Sequence, residues 1–393
     1  MREVKEKLLF IVPNLLGYSG DAVNERQLAK ALAKKTSLKI YTLLPILKIP
    51  FLRKNLSECK KELNVKSLFI PIIGFPYVLG IFITLIIAFL CSILVKFEKP
   101  RLIYVRSSPL ALPFIMLRNW HKSKVIVKIP SIMEDEVRSF YLDRRILRFM
   151  IEITDRYVIA KADRIAIPTL EFYKSLVRRR RIKNLNPPIL VPSGIDVSKI
   201  NRVKKTCSKH GNTSFIIGFV GLLEWWQGAD ILVKAVYMLN KTVEYDIRLL
   251  IIGDGPVRRR IEQLCKELNI KCTITGFVPH EEALKIMSSL NLLVVPSIRI
   301  STTENNIPIK VIEAWALGIP VVTTQHEIYN MMGLRDGTDI LFCEPNPESV
   351  ARTIKVVLRN PAVLDRLSKN GYRLAKKFIY DDLAQRIIDT ILD

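Results

Sequence analysis

The chain has 393 residues, 49% of them hydrophobic, and its 61 Lys and Arg exceed its 37 Asp and Glu to give a formal net charge of +24. This apolar content excludes a disordered polybasic protein, because charge prevents a core only where hydrophobic residues are few. The counts of 16 glycines and 21 prolines exclude collagen-like and low-complexity chains. The length predicts two domains, and the charge favours an anionic partner such as nucleic acid, a membrane surface or an acidic substrate.

The cysteines indicate the compartment. The six cysteines are dispersed, and none forms a CxxC pair or a zinc-ligand spacing. In a chain of this length, that pattern is typical of a reducing compartment rather than a disulfide scaffold. The N-terminus has only a short apolar run and lacks the pattern of a signal peptide. We therefore expect a cytoplasmic protein without a metal site.

Short apolar, β-rich runs alternate with helical patterns along the chain, which is typical of α/β domains with parallel sheets. In the first half the predicted strands are 8–12, 38–43, 67–70, 102–105, 125–128, 164–167 and 189–191. In the second half they are 216–220, 248–252, 272–275, 292–295, 320–323 and 340–342.

A polar, basic stretch without apolar periodicity, 201–214, interrupts this alternation. It predicts a linker between an N-terminal domain, 1–200, and a C-terminal domain, 215–380. The last segment, 381–393, is amphipathic and predicts a helix that packs back onto the chain. The expected architecture is α/β, with two Rossmann-like domains facing each other across a ligand cleft.

The segment 68–95 contains no charged residue. Prolines and a glycine interrupt its first part, so a helix is predicted over 77–95, about 28 Å long and close to the ~30 Å core of a bilayer. A membrane span conflicts with a sheet whose strands lie on both sides of this segment in sequence. Two other interpretations remain: a crossover helix buried against the sheet, or a helix lying in the membrane interface with basic residues at anionic headgroups. The absence of a polar face favours the interface.

Two glycine-rich turns follow predicted strands and open helices. The first, 17–20, ends at Gly20, and the second, 219–228, contains Gly221 and Gln227. Such a turn offers backbone N–H groups and a helix N-terminus to an anion. Two such loops at one cleft suit a nucleotide diphosphate.

Further along the chain, the segments 251–256, 275–278, 295–297 and 306–322, together with 191–196, follow one another in a recognisable order. In this order and spacing the chain resembles the GT-B-fold glycosyltransferases of the large retaining family 4, over essentially its whole length. The resemblance implies an acceptor-binding N-terminal domain and a C-terminal domain that binds a UDP- or GDP-sugar, with no other cofactor. It implies donor contacts at Gly253, Val278 and Asn305.

Two residues of the last segment suit the chemistry of sugar transfer. A carboxylate at the start of a helix accepts two hydrogen bonds well, so we expect Glu313 to hold the ribose diol of the nucleotide. Lys310, one helical turn earlier, can reach the diphosphate and stabilise the leaving group, which is the main electrostatic task of the reaction.

The chain departs from the family pattern in two places. The family usually has two glutamates eight residues apart, but the position eight before Glu313 is Asn305, and Glu304 precedes it. Either Glu304 reaches the donor sugar through a shifted loop, or Asn305 or Asn306 hydrogen-bonds the sugar instead. Leu222 and Gln227 stand where the family often has Arg and Lys, which leaves the phosphates to Lys310, Gln227 and backbone N–H groups.

The acceptor side is less readable. Glu134 or Glu136 can orient an acceptor hydroxyl, and a solvated acidic helix start is the alternative. Arg106, at a predicted strand end, is a candidate for a phosphate of the acceptor.

These features predict a retaining, hexosyltransferase-type glycosyltransferase that moves a sugar from a nucleotide-sugar donor to a saccharide or polyprenyl-linked acceptor. The apolar segment and the charge predict peripheral association with the anionic inner face of the cell membrane. The alternatives are a nucleotide-sugar epimerase or phosphorylase of the same fold, or an inactive glycosyltransferase-like scaffold. Nucleic acid is not an expected partner, because the basic runs lack interleaved aromatics and no RNP, zinc or helix-turn-helix pattern is present.

Overall fold

The computed structural model describes residues 6–13, 15, 20–45, 66–72, 77–132, 145–182, 186–206 and 214–392. The chain forms two compact units, one comprising Met1–Pro192 with Tyr380–Asp393 and the other Ser193–Ile379. Each unit is built on a parallel sheet with its own core.

The N-terminal unit contains the strands β1 (Lys7–Val12), β2 (Ser37–Pro45), β3 (Lys66–Ile72), β4 (Leu102–Arg106), β5 (Lys124–Lys128), β6 (Arg164–Ile167) and β7 (Ile189–Leu190). Its helices are α1 (Gly20–Lys35), α2 (Tyr77–Glu98), α3 (Ser108–Met116), α4 (Arg118–His121), α5 (Arg145–Lys161) and α6 (Leu170–Arg180). The strand order is β3-β2-β1-β4-β5-β6-β7, with every neighbouring pair parallel.

The second unit begins with α7 (Val197–Thr206) and contains β8 (Phe215–Val220), β9 (Ile247–Ile252), β10 (Cys272–Ile274), β11 (Leu292–Val295), β12 (Val321–Thr324) and β13 (Leu341–Cys343). Its other helices are α8 (Ala229–Asn240), α9 (Arg258–Glu267), α10 (His280–Met287), α11 (Ser301–Glu304), α12 (Ile309–Leu317), α13 (Glu327–Met331), α14 (Pro347–Arg359) and α15 (Pro361–Ala375). The parallel strands are ordered β10-β9-β8-β11-β12-β13.

Both sheets have the Rossmann strand order, in which the direction of strand addition reverses beside the first strand. In the N-terminal unit the reversal lies between β1 and β4, and in the second unit between β8 and β11. The strands are continuous apolar runs, such as residues 8–12 of β1, because helices cover both faces of a parallel sheet. Each sheet therefore places the loops after its strands along one edge, and the reversal opens a crevice there.

The structure divides the chain differently from the predicted domains. The second unit starts at Ser193, and residues 201–206 of the predicted linker belong to α7. Ile200 and Val203, three residues apart, bury one face of α7 in the core of the second unit. Lys199 is also buried, but the polar residues among 201–206 are exposed, which explains why this stretch shows no apolar period in the sequence.

The last helix, α16 (Tyr380–Leu392), packs on α1 in the N-terminal unit. Leu383, Ala384 and Ile387 are fully buried there beside Leu28 and other core residues. The N-terminal core therefore includes residues from both ends of the chain.

The apolar helix α2 is a crossover between β3 and β4 with two different faces. Ala88, Cys91 and Val95 are buried against the sheet and α3, as expected for a crossover helix. The opposite face exposes Phe89, Leu90, Leu94 and Phe97, and Phe97 is 78% accessible. Within the described part of the chain, no helix is both long enough and apolar enough to span a membrane.

A buried ion pair yields a first prediction. Arg180 at the end of α6 donates from Nη2 to Oδ2 of Asp155 in α5 at 2.6 Å, and the side chains are only 1% and 4% exposed. We expect Asp155→Ala to lower the free energy of unfolding by about 3–5 kcal/mol, because it leaves a buried guanidinium without this carboxylate. Urea unfolding followed by circular dichroism measures the loss.

The matched control is Asp381→Ala, which breaks the pair of Asp381 with Lys34 at 2.9 Å, where both side chains are about half exposed. It is expected to cost less than about 1 kcal/mol, because exposed ion pairs contribute little. Equal losses in the two variants would contradict the assignment of the Asp155–Arg180 pair as a buried determinant of stability.

Candidate functional site

The predicted donor residues gather at the carboxyl edge of the second sheet. Gly221 follows β8, Gly253 follows β9 and Val278 follows β10, while Lys310 and Glu313 lie in α12, between β11 and β12. The reversal of strand order falls between β8 and β11. This edge is where open α/β sheets bind ligands, so the fold brings together residues that are far apart in sequence.

Two glycines allow a close approach of backbone segments at this edge. Gly221 has φ +129° and Gly253 has φ +146°. A Cβ at Gly253 would lie 1.9 Å from the carbonyl oxygen of Gly221, and a Cβ at Gly221 would lie 2.9 Å from Nζ of Lys310. A side chain at Gly221 would occupy the space beside the Lys310 amine, and one at Gly253 would collide with the backbone of Gly221.

Lys310 is a buried cation. The residue is 9% exposed, its Nζ donates to Oε1 of Gln227 at 2.8 Å, and Nζ lies 4.8 Å from the ring centroid of Phe219. Burial lowers the pKa of Lys310 to about 7. Among the residues that the structure describes, no carboxylate forms an ion pair with Lys310. A desolvated ammonium with a neutral partner is a place where an anion binds well.

Gln227 reaches the lysine through a tight turn. Trp225–Gln227 form one turn of 3₁₀-helix, and Gly228 follows with φ +76°. A Cβ at Gly228 would lie 2.1 Å from the carbonyl oxygen of Pro296, so only glycine fits there. The turn directs the Gln227 amide to Lys310, and the assignment of both residues to the phosphates stays a prediction.

Glu313 lies one turn after Lys310 on α12 and is 6% exposed. Its Oε1 lies 2.6 Å from Nε2 of His280, the first residue of α10. His280 was not predicted from the sequence. The only signal there was a single histidine two residues after Val278, and nothing local distinguishes it from a solvated helix start.

Glu304 is held by residues of the neighbouring helix. Its Oε2 accepts from the backbone N–H of Glu327 at 2.6 Å, at the start of α13, and its Oε1 lies 3.2 Å from Nδ1 of His326. The Nε2 of His326 lies 2.8 Å from Oγ of Ser297, and burial lowers the pKa of His326. In this structure the Glu304 carboxylate therefore fastens the loop after β11 to α13.

The two asparagines that follow Glu304 differ in their surroundings. Asn305 ends the short helix α11 and is partly exposed. The Oδ1 of Asn306 is buried and has no hydrogen-bond partner within the part of the chain that the structure describes. An unpaired buried amide oxygen is costly unless something donates to it, so Asn306 is the better placed of the two to accept from a bound hydroxyl.

The predicted residues of the N-terminal unit are only partly described. Gly20 opens α1, while residues 17–19 and the acceptor candidates Glu134 and Glu136 lie outside the described residues. Arg106 at the end of β4 donates to Asp21 at 2.9 Å and to Glu25 at 3.2 Å. Two carboxylates therefore balance the guanidinium that the sequence suggested for an acceptor phosphate.

Glu25 connects two strand ends in this unit. Its side chain is fully buried, and Oε1 also accepts from Lys128 Nζ at 2.8 Å, at the end of β5. The cluster of Asp21, Glu25, Arg106 and Lys128 joins α1 to the carboxyl ends of β4 and β5. It combines two cations with two anions, and its contacts cross-link elements of one unit.

The sequence model described as "Glycosyl transferases group 1" matches residues 203–374. Over 204 residues the chain is 30% identical to 2-deoxystreptamine glucosyltransferase of Streptomyces kanamyceticus, covering 48% of this chain and 50% of that protein. It is 24% identical over 167 residues to a Campylobacter jejuni α-1,4-N-acetyl-D-galactosaminyltransferase named for a PP-undecaprenol-linked saccharide, covering 41% and 42%. The chain thus spans about half the length of these curated relatives.

Solved structures match the whole chain. Sucrose-phosphate synthase from Thermosynechococcus elongatus has a TM-score of 0.73 at 17% identity over 98% of both chains. Anabaena HepE in complex with UDP and glucose has a TM-score of 0.69 at 14% identity, over 98% of this chain and 99% of that one. These likenesses confirm the predicted α/β fold class of two Rossmann-like domains, the GT-B type. The sequence match identifies residues 203–374 as a group 1 glycosyltransferase domain.

Proposed function

We propose that the protein is a retaining glycosyltransferase that transfers a sugar from a UDP- or GDP-sugar to a saccharide or lipid-linked acceptor. The observation that carries the proposal is the buried Lys310, which meets the neutral Gln227 at the carboxyl edge of the sheet. A nucleoside diphosphate supplies the anion that this cation lacks. The UDP bound to the structurally similar HepE supports a uridine nucleotide as the first candidate.

Each residue at this edge is assigned to one part of the nucleotide-sugar donor. Lys310 stabilises the charge that develops on the leaving diphosphate, where a preorganised cation in a dry site is most effective. Gly221 and Gly253 leave room for the phosphates beside it. Glu313 accepts hydrogen bonds from the ribose hydroxyls, and the backbone at Val278 contacts the nucleobase.

The donor sugar is assigned to the loop after β11. The carboxylate of Glu304 is engaged by His326 and the N-terminus of α13, whereas Oδ1 of Asn306 is buried without a partner among the described residues. We therefore favour the asparagine alternative, in which Asn306, with Asn305 beside it, accepts from a sugar hydroxyl. The role of Glu134 in orienting the acceptor hydroxyl stays a prediction.

Nucleotide binding tests the assignment of Lys310. We expect Lys310→Met to weaken binding of UDP or GDP by about ten- to hundredfold, because a charge-assisted hydrogen bond is lost. Isothermal titration of both nucleotides measures the change. Lys369→Met, an exposed lysine on α15 of the same unit, is the matched control and should leave affinity unchanged. Equal affinity in Lys310→Met and the wild type would refute the proposed site.

The pH dependence of binding follows from the lowered pKa of Lys310. With a pKa of about 7, the free protein loses this proton as the pH rises, and a bound diphosphate favours its return. We expect affinity to fall by up to about tenfold per unit between pH 7.5 and 9, with proton uptake on binding. The phosphate itself, with its second pKa of about 6, is already ionised in this range.

Titration calorimetry in buffers of different ionisation enthalpy measures the proton uptake directly. Lys310→Met should abolish the uptake together with the slope of affinity against pH. A slope of the same size in Lys310→Met would assign the linkage to another group and contradict this prediction.

We further propose that the N-terminal unit associates with the anionic inner face of the membrane. The exposed face of α2 carries large apolar side chains, and α5, which also packs on α3, exposes others. On α5 these are Phe149, Met150, Ile153 and Tyr157. Apolar side chains that enter the headgroup region, with basic residues at the lipid phosphates, are typical of interfacial helices. The relative named for an undecaprenol-linked saccharide supports a lipid-linked acceptor.

Lipid vesicles test this surface. We expect the double variant Leu90→Glu and Phe97→Glu, which places charge on the exposed face of α2, to lose at least about tenfold in binding to phosphatidylcholine vesicles containing phosphatidylglycerol. Co-sedimentation measures binding. Val356→Glu, at a similarly exposed apolar position on α14, is the control and should bind like the wild type. Equal binding of the double variant, or no binding by the wild type, would overturn the membrane assignment.

A further inference from the structure

We propose that His280 is a positioning residue, which fixes the Glu313 carboxylate so that it can receive both hydroxyls of a ribose. The inference rests on the proposed function and assigns a task to a side chain that the sequence did not single out. It is carried by the contact of 2.6 Å between Nε2 of His280 and Oε1 of Glu313.

The contact fixes an otherwise free carboxylate. Glu313 is 6% exposed, and a buried carboxylate without a donor carries a large desolvation penalty. A glutamate side chain has three rotatable bonds, and holding one oxygen removes most of that freedom before a ligand arrives. The second oxygen and the remaining lone pair of the first are then available in a fixed plane.

The tautomer follows from the geometry. Nε2 carries the hydrogen, because it faces a carboxylate oxygen that only accepts. Nδ1 is buried and has no partner within the described residues, so no protein group fixes the ring from its other side. The Glu313 contact is therefore the polar interaction that the ring makes, and ring and carboxylate orient each other.

The position of His280 joins two parts of the proposed nucleotide site. His280 opens α10 two residues after Val278, whose backbone is assigned to the base, and it touches Glu313, one turn after Lys310 on α12. Its contact thus links the loop assigned to the nucleobase with α12, the helix that carries the residues assigned to the ribose and the phosphates. A change at His280 should therefore affect recognition of the ribose more than recognition of the phosphates.

A comparison of UDP with 2′-deoxy-UDP isolates the ribose contact. We expect the wild type to prefer UDP by about ten- to hundredfold, because the 2′-hydroxyl donates to a carboxylate. His280→Ala and His280→Met, which cannot donate, should reduce the preference to a few-fold. His280→Gln offers an amide N–H at similar reach and should restore much of it. Isothermal titration gives the four preferences, and thermal unfolding identifies any variant that fails to fold.

Three results would overturn the inference. If His280→Met lowers the affinity for both nucleotides equally, so that the preference for UDP is unchanged, His280 has a structural role only. Tighter binding of UDP by His280→Ala would make His280 a placeholder that the ribose displaces. Failure of the wild type to bind either nucleotide would remove the proposed function, and the inference with it, so the two failures are distinguishable. A reduced preference in His280→Ala and His280→Met, restored in His280→Gln, supports it.

Discussion

The placement of one ammonium group inside the second unit sets the arrangement of the whole site. Burial of Lys310 disfavours its charged form, yet the surrounding chain offers an amide oxygen, an aromatic ring and two glycines. Gly221 and Gly253 must lack side chains, Gly228 must turn sharply, and α12 must begin at Ile309 for Nζ to reach this point. In the proposed function the diphosphate of the donor stabilises this charge, and the neutral surroundings of Lys310 leave it available to that anion.

The carboxylates near this lysine have different partners, and these partners separate their roles. Glu304 is bound by a backbone N–H and by His326, which is in turn held by Ser297. These hydrogen bonds all fasten the loop after β11 to α13. Glu313 meets a single histidine and remains beside the lysine. Glu304 thus holds the local structure together, whereas Glu313, nine positions later in the sequence, is the carboxylate that the proposed function assigns to the ligand.

The sequence predicted the fold well because its strands are continuous apolar runs, which leave little choice once helices cover both faces of a parallel sheet. It also assigned Lys310 and Gln227 to the phosphates, and the structure places the two side chains in contact. It missed α7, because Ile200 and Val203 are its main core contacts among polar residues. It missed His280 and the Asp21–Glu25–Arg106–Lys128 cluster, since each contact joins residues distant in sequence. Polar side chains that pair across the fold produce no periodic pattern in the sequence, whereas buried apolar side chains do.

The return of α16 to the N-terminal unit has a consequence for how the protein is made. Leu383, Ala384 and Ile387 complete a core that begins at β1, and Tyr380 donates to Asn24 at 2.8 Å. During synthesis, the second unit has all its strands before the first unit has its last helix. The N-terminal unit therefore keeps the apolar residues beside α1 uncovered until α16 has been synthesised. The N-terminal unit cannot complete its core before the second unit has been synthesised. The second unit can therefore complete its fold first.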